Sequence, residues 1–431
     1  MRILDWNCLS GAQRREALQR PAADDTARIM AAARDIIERV RREGDAGLLA
    51  LTAQFDGVRL EALQVTRQEF ADADRAITAE QHAAIERAID NIRRFHAAQL
   101  PPALRLETSP GVICERLSVP IRAVGLYVPA GSAPLPSTAM MLAVPATLAA
   151  CPVKLMCTAP QSTGAANPAV LVAARKSGVD AIFKVGGAQA IAAMAYGSES
   201  IPKCHKVFGP GNAYVTAAKI LVAQAEGAAL DLPAGVSEVM VIADEEARAN
   251  FVAADLLAQA EHSPEAQAIL VTTEAALAAA VRQEVLRQGG LLSRTSILAQ
   301  SVAAMRLIVV DTLQTAFDIA NTYAPEHLIL EIREPRQWLS AVSTAGAVFL
   351  GHWSPESLGD YCSGPNHTLP TYGYARAYSG LSVEDFQRRI TVQEVTPSGL
   401  QGLGPTARIL AGLEGLDAHA AAVTVRLEAL R

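Results

Sequence analysis

From residue 123 onward, short runs of β-branched and other apolar residues alternate with Ala-rich stretches whose apolar positions recur every three or four residues. The pattern predicts strands at 123–128, 153–158, 181–185, 239–243 and 268–272. Helices are predicted between them at 167–176, 188–195, 213–225, 245–261 and 274–287. Such alternation builds parallel sheets covered by helices, because a parallel neighbour is reached only through a crossover long enough to hold a helix. There are more units than one small sheet holds, and a second series runs over 244–350, so the expected fold is α/β with two doubly wound domains. The first hundred residues read differently. Residues 24–43 and 66–100 are rich in Ala, Arg, Glu and Ile at helical spacing, with Asp24, Asp25 and Thr26 as a cap signal. After about residue 380 the alternation stops, and a mixed segment leads into a helical tail over 405–430.

Charge and cysteine content narrow the function classes. The 44 acidic residues against 38 Lys and Arg give a net charge of −6, and no basic run of five occurs, so nucleic acid is not an expected partner. The six cysteines are scattered without a CxxC spacing, as expected for reduced thiols in the cytoplasm. Charged residues occupy the first twenty positions where an export signal needs an apolar stretch. Residues 123–153 carry no charge, but five prolines interrupt them, so a buried strand, a loop and a packed helix are expected there rather than a membrane span.

Two glycine-rich turns each follow an apolar run and open a predicted helix: 185–190 (VGGAQA) and 208–214 (FGPGNAY). Backbone N–H groups at such a turn can face a pyrophosphate, or the glycines can simply serve helix entry. Neither is a full GxGxxG, since Tyr214 stands where the third glycine would be. Gln259 and His262 lie three apart near a predicted helix end and project from one face. Of the eight histidines, His82 and His96 fall in exposed-looking helices and His205 and His352 in loops, where a solvated role is expected. His262, His327, His367 and His419 sit in more pointed surroundings. His327 follows Glu326, and Pro325 supplies the turn that would let both face one site. Asp360 and His367 bracket a polar loop. Gln, Asp and His donors together suit Zn²⁺ and, less well, Mn²⁺ or Fe²⁺.

Seven segments, in order and spacing, resemble the histidinol dehydrogenase family: 124–131 (VGLYVPAG), 183–191 (FKVGGAQAI), 209–219 (GPGNAYVTAAK), 231–239 (DLPAGVSEV), 259–262 (QAEH), 324–328 (APEHL) and 360–367 (DYCSGPNH). The resemblance implies incomplete Rossmann-like domains: a larger one from 24–125 and 233–381, a second at 126–232, an N-terminal arm at 1–23, and a tail at 382–431 that reaches a partner subunit. It implies an NAD-dependent, two-step oxidation of L-histidinol to L-histidine with one zinc ion per subunit. The implied zinc ligands are Gln259, His262, Asp360 and His419, which also contact the substrate. Glu326 and His327 would be the acid–base pair. Ser237, His327, His367 and Glu414 would hold the substrate, and Tyr127, Gln189 and Asn212 would line the NAD site. An intertwined homodimer is implied, with His419 in the partner's site. Val236 departs from the family's usual proline before Ser237.

Two rival readings use the same residues. A zinc hydrolase would employ the metal donors and Glu326 against an amide or ester, and NADH formation separates it from a dehydrogenase. A dehydrogenase of a related amino alcohol would differ only in substrate.

Overall fold

A computed structural model describes the whole chain except residues 22–25, 131–132, 226 and 233–234. The cap signal at Asp24 and Asp25 lies outside the described residues. Two all-parallel sheets form the body. The larger has six strands in the order Arg2–Asp5, Arg306–Val309, Gln267–Thr272, Glu238–Ala243, His327–Glu331 and Ala347–Leu350. The smaller has five, in the order Ala181–Lys184, Val153–Thr158, Ala123–Val128, Lys206–Phe208 and Ala229–Leu230. Strands Ala123–Val128, Glu238–Ala243 and Gln267–Thr272 are buried at every position. That is why they read as continuous apolar runs rather than as alternation: helices cover both faces.

The uncharged stretch resolves as expected into strand Ala123–Val128 and the packed helix Pro136–Leu148, nearly all of it buried. Among the described residues no helix is long and apolar enough to cross a membrane. The helical N-terminal region comprises Thr26–Phe55, Arg67–Ala76 and Ala79–Ala97. The single helical stretch expected at 66–100 is divided because Thr66 and Thr78 each begin a capping box, with Glu69 and Gln81 as their partners.

A third, antiparallel sheet had no signal in the helix–strand alternation. It joins Leu104–Ser109, Val112–Pro120 and Gln387–Val395, and so links the middle of the chain to the tail. The tail continues as helices Pro397–Leu413 and Asp417–Glu428, which pack on each other but leave Ile409, Leu410 and Leu413 exposed.

Candidate active site

At the amino-terminal edge of the six-stranded sheet, Glu238 and His327 open neighbouring strands. Helix Leu313–Tyr323 ends at Ala324, whose φ of 54° is left-handed, and Pro325 follows, so the chain turns sharply before Glu326. The turn overcomes the opposite facing of strand neighbours, and a Glu326 carboxylate oxygen lies 3.8 Å from the His327 Nδ1. The backbone of Glu238 holds both. Its N–H donates to Glu326 Oε2 at 2.9 Å, and its carbonyl accepts from His327 Nδ1 at 3.1 Å. Because a carbonyl can only accept, the ring proton sits on Nδ1, and Nε2 keeps its lone pair. Nε2 is buried without a hydrogen-bond partner among the described residues, 3.6 Å from Asp360. Burial pushes the His327 pKa down to about 4, which leaves the ring neutral at pH 7 with the Nε2 lone pair open. Burial also raises Glu326 well above the ordinary carboxylate range.

Glu238 is itself fixed from behind. Arg20 Nη2 donates to its Oε2 at 2.8 Å and to the Tyr323 carbonyl at 2.9 Å, and the guanidinium lies over the Tyr323 ring. Nothing in the sequence pattern marked Arg20, which stands 218 residues from its partner. Glu238 did leave a trace, as a carboxylate at the head of a run otherwise apolar and buried.

The metal donors gather beside this pair. Gln259 is the penultimate residue of helix Ala249–Ala260, is fully buried, and among the described residues has no hydrogen-bond partner for either its amide nitrogen or its amide oxygen. An unpaired buried amide costs roughly 1–3 kcal/mol, a penalty that a ligand on the oxygen removes. His262 lies two residues past the helix end and is exposed; its ring, Asp360 and Glu356 place donor atoms within 4.8 Å of one another. Glu356 carries no sequence signal of its own beyond its place four residues before Asp360, on the same face of the short helix Glu356–Tyr361. An amide oxygen, an imidazole nitrogen and carboxylates fit zinc.

His367 Nδ1 donates to the Asp360 carbonyl at 2.8 Å, and its Nε2 lies 3.3 Å from the Thr138 hydroxyl, on the first helix after the central strand of the smaller sheet. Burial lowers the His367 pKa. Ser237 is half-buried immediately before Glu238. Glu414 caps helix Pro397–Leu413 and His419 lies on helix Asp417–Glu428; both are exposed, and His419 is not in the donor group.

The expected solvated role of His96 is overturned. It faces inward from helix Ala79–Ala97 with no exposure, its Nδ1 donating to the Ile92 carbonyl at 2.9 Å and its Nε2 lying 3.5 Å from the Asn366 amide nitrogen. Asn91 on the same helix donates to the Cys362 carbonyl at 2.9 Å, so this helix braces the loop between Asp360 and His367. His352 also departs from a purely solvated role: its Nδ1 contacts the buried carboxylate of Glu331.

At the carboxyl edge of the smaller sheet lie the residues expected at the nucleotide site. The Tyr127 hydroxyl accepts from the Gly187 N–H at 3.0 Å, and burial pushes the phenol up to about 12. Gln189 is buried on helix Gly187–Tyr196. Asn212 caps helix Ala213–Gln224, its side-chain oxygen accepting from the Tyr214 and Val215 N–H groups at 3.1 Å each. Gly209 has a φ of 123°, and a Cβ there would fall 2.1 Å from the Tyr127 carbonyl oxygen, so only glycine lets these adjacent strand ends meet.

A model of the family described as histidinol dehydrogenase matches residues 18–427. The histidinol dehydrogenase of Xanthomonas axonopodis pv. citri (strain 306) is 55% identical over 427 residues, covering 99% of each chain. That of Vibrio vulnificus (strain YJ016) is 50% identical over 431 residues, covering 100% of this chain and 99% of its own. The crystal structure of histidinol dehydrogenase from Elizabethkingia anophelis superposes with a TM-score of 0.94 at 44% identity, covering 100% of this chain and 98% of that one. Sequence and fold agree over essentially the full length, and the chain belongs to the histidinol dehydrogenase family of oxidoreductases.

Proposed function

We propose that this chain oxidises L-histidinol to L-histidine through the aldehyde, using two NAD per substrate and one zinc ion per subunit, as an intertwined cytoplasmic homodimer. The observation that carries the metal reading is Gln259, a fully buried amide with both polar atoms unpartnered among the described residues, three positions before His262, whose ring gathers with Asp360 and Glu356. Gln259, His262 and Asp360 would hold zinc from within one chain, and His419 would come from the partner. When bound, zinc would fix the substrate's imidazole and amino nitrogens and help polarise nearby groups. NAD would supply the hydride acceptor at the edge formed by Tyr127, Gln189 and Asn212.

The chain's own residues handle the protons. In the first oxidation His327 Nε2 takes the hydroxyl proton as hydride leaves the carbinol carbon, and it passes that proton to solvent before the second, in which it takes a proton from the hydrated aldehyde. Glu326 has Oε2 held by the Glu238 N–H and leaves Oε1 to accept a proton from the water that adds to the aldehyde carbon. A buried carboxyl raised well above its ordinary range is suited to exchanging that proton rather than staying permanently ionised. Ser237, His367 and Glu414 would hold the substrate. The apolar surface of the tail at Ile409, Leu410 and Leu413 supports a partner contact there. On this reading residues 126–232 bind the nucleotide, residues 24–125 and 233–381 carry the chemistry, 1–23 form an arm, and 382–431 reach the partner's site. Family membership disfavours the hydrolase reading.

The test is absorbance at 340 nm with protein, zinc, NAD and L-histidinol. About two NADH per histidinol, with histidine as product and loss of rate on chelation, is the expected result. No NADH with zinc present would overturn the substrate assignment.

A further inference from the structure

Glu356 is a buried carboxyl group at the site to which the proposed reaction gives no work. It begins the short helix Glu356–Tyr361, is 1% exposed, and its Oε2 has no hydrogen-bond partner among the described residues. Its Oε1 lies 3.5 Å from His327 Nδ1, on the side of the ring opposite the unpartnered Nε2. The same Nδ1 donates to the Glu238 carbonyl at 3.1 Å. The ring proton is therefore donated to the backbone carbonyl of a strand, and a second acceptor, a side-chain carboxyl group from the helix that carries Asp360, lies against the same nitrogen at ion-pair distance without completing a hydrogen bond. Both acceptors favour the tautomer that leaves Nε2 free, and neither can be satisfied if the ring turns over.

We propose that Glu356 is a positioning residue for His327: together with the Glu238 carbonyl it holds the imidazole in the Nδ1–H tautomer, with Nε2 directed toward Asp360 and the substrate. The assignment rests on the reading of His327 as the base. It differs from a metal-donor role, which the closeness of Glu356 to His262 and Asp360 also permits. A positioning group acts only through the ring it holds. Removing it slows proton transfer, leaves zinc affinity intact, and has nothing left to affect once the imidazole is gone.

The experiment is a double-mutant cycle on the zinc-loaded enzyme with Glu356→Gln, His327→Asn and the pair, reading kcat and KM for L-histidinol and, separately, zinc affinity by calorimetry. Gln presents one acceptor where the carboxyl group presents two, and it conserves volume; Glu356→Ala removes both acceptors. In the wild-type background Glu356→Gln is expected to lower kcat by about 10- to 100-fold, with Glu356→Ala at least as low and KM within about threefold. In the His327→Asn background Glu356→Gln is expected to change kcat by less than about twofold. Zinc affinity stays within about threefold of wild type. A kcat unchanged in Glu356→Gln and Glu356→Ala, an equal loss in the His327→Asn background, or a parallel fall in zinc affinity would each overturn the proposal. Failure of the underlying reading looks different: wild type would form no NADH, or His327→Asn would match it.

Discussion

The two parallel sheets share an architecture but work at opposite edges. The smaller offers the carboxyl ends of Ala123–Val128, Ala181–Lys184 and Lys206–Phe208, where helices Gly187–Tyr196 and Ala213–Gln224 begin. The larger offers the amino ends of Glu238–Ala243 and His327–Glu331, where helices Ala249–Ala260 and Leu313–Tyr323 finish. Helix beginnings carry partial positive charge and helix ends partial negative charge, so the first edge favours a pyrophosphate and the second a cation. Hydrogen bonding divides in the same way. Tyr127 and Asn212 already have partners in the turns they stabilise, whereas Gln259, His327 Nε2 and Glu356 Oε2 have none among the described residues. One edge is thus a preformed backbone cradle; the other holds buried side-chain atoms left unpartnered among the described residues.

The largest expected effect lies at the second edge. His327→Asn keeps a polar group of similar reach but removes the free ring nitrogen, and kcat for L-histidinol is expected to fall by about 100- to 10,000-fold with the fold intact by circular dichroism. A fall of less than tenfold would mean that the proton goes elsewhere.

Next is Asp255, one turn before Gln259, whose pKa burial raises from 3.8 to about 7, with Glu331 adding to the shift. A folded-state pKa above the unfolded value means that the native protein holds the proton more tightly. The contribution is fully present below about pH 4 and is lost as pH rises toward 7. Asp255→Asn removes that dependence. In chemical denaturation of metal-free protein, the stability of wild type relative to the variant is expected to decline by on the order of 4 kcal/mol across that window. A difference flat with pH would place Asp255 in contact with water.

Gln259→Met comes third. It replaces the orphaned amide by an apolar chain of similar length, so the metal-free variant is expected to be more stable than wild type by about 1–3 kcal/mol in denaturant unfolding. A less stable variant would show that the amide has a partner within the chain. The smallest effect belongs to the cradle. Asn212→Ala removes a helix cap and is expected to cost about 1 kcal/mol of stability, with KM for NAD rising only a few-fold.

How much of this was legible in the sequence follows from the range of each interaction. Strands buried on both faces and Ala-rich crossover helices announce themselves locally, and the predicted strands at 123–128 and 153–158 match the observed ones. The pair Glu326 and His327 was legible because Pro325 and a helix end shape the turn within four residues. The ribbon was not: Gln387–Val395 pairs across hundreds of positions, and the local hairpin of Leu104–Ser109 and Val112–Pro120, turned at Pro110 and Gly111, has an outer strand exposed at nearly every position. Arg20 and His96 were missed for the same reason. Their partners, Glu238 and Asn366, are distant in sequence, and an inward-facing histidine on a charged helix has the same local spacing as an outward-facing one.

The opposition of the two edges is tested most directly by titrating zinc, and separately NAD, into metal-free protein by calorimetry, for wild type, Gln259→Met and Asp360→Asn. Wild type is expected to bind about one zinc per chain, both variants to lose zinc affinity by at least tenfold, and NAD affinity to stay within about threefold in all three. Zinc binding that survives in both variants, or NAD affinity that falls together with it, would contradict the division of the site into a cation edge and a nucleotide edge.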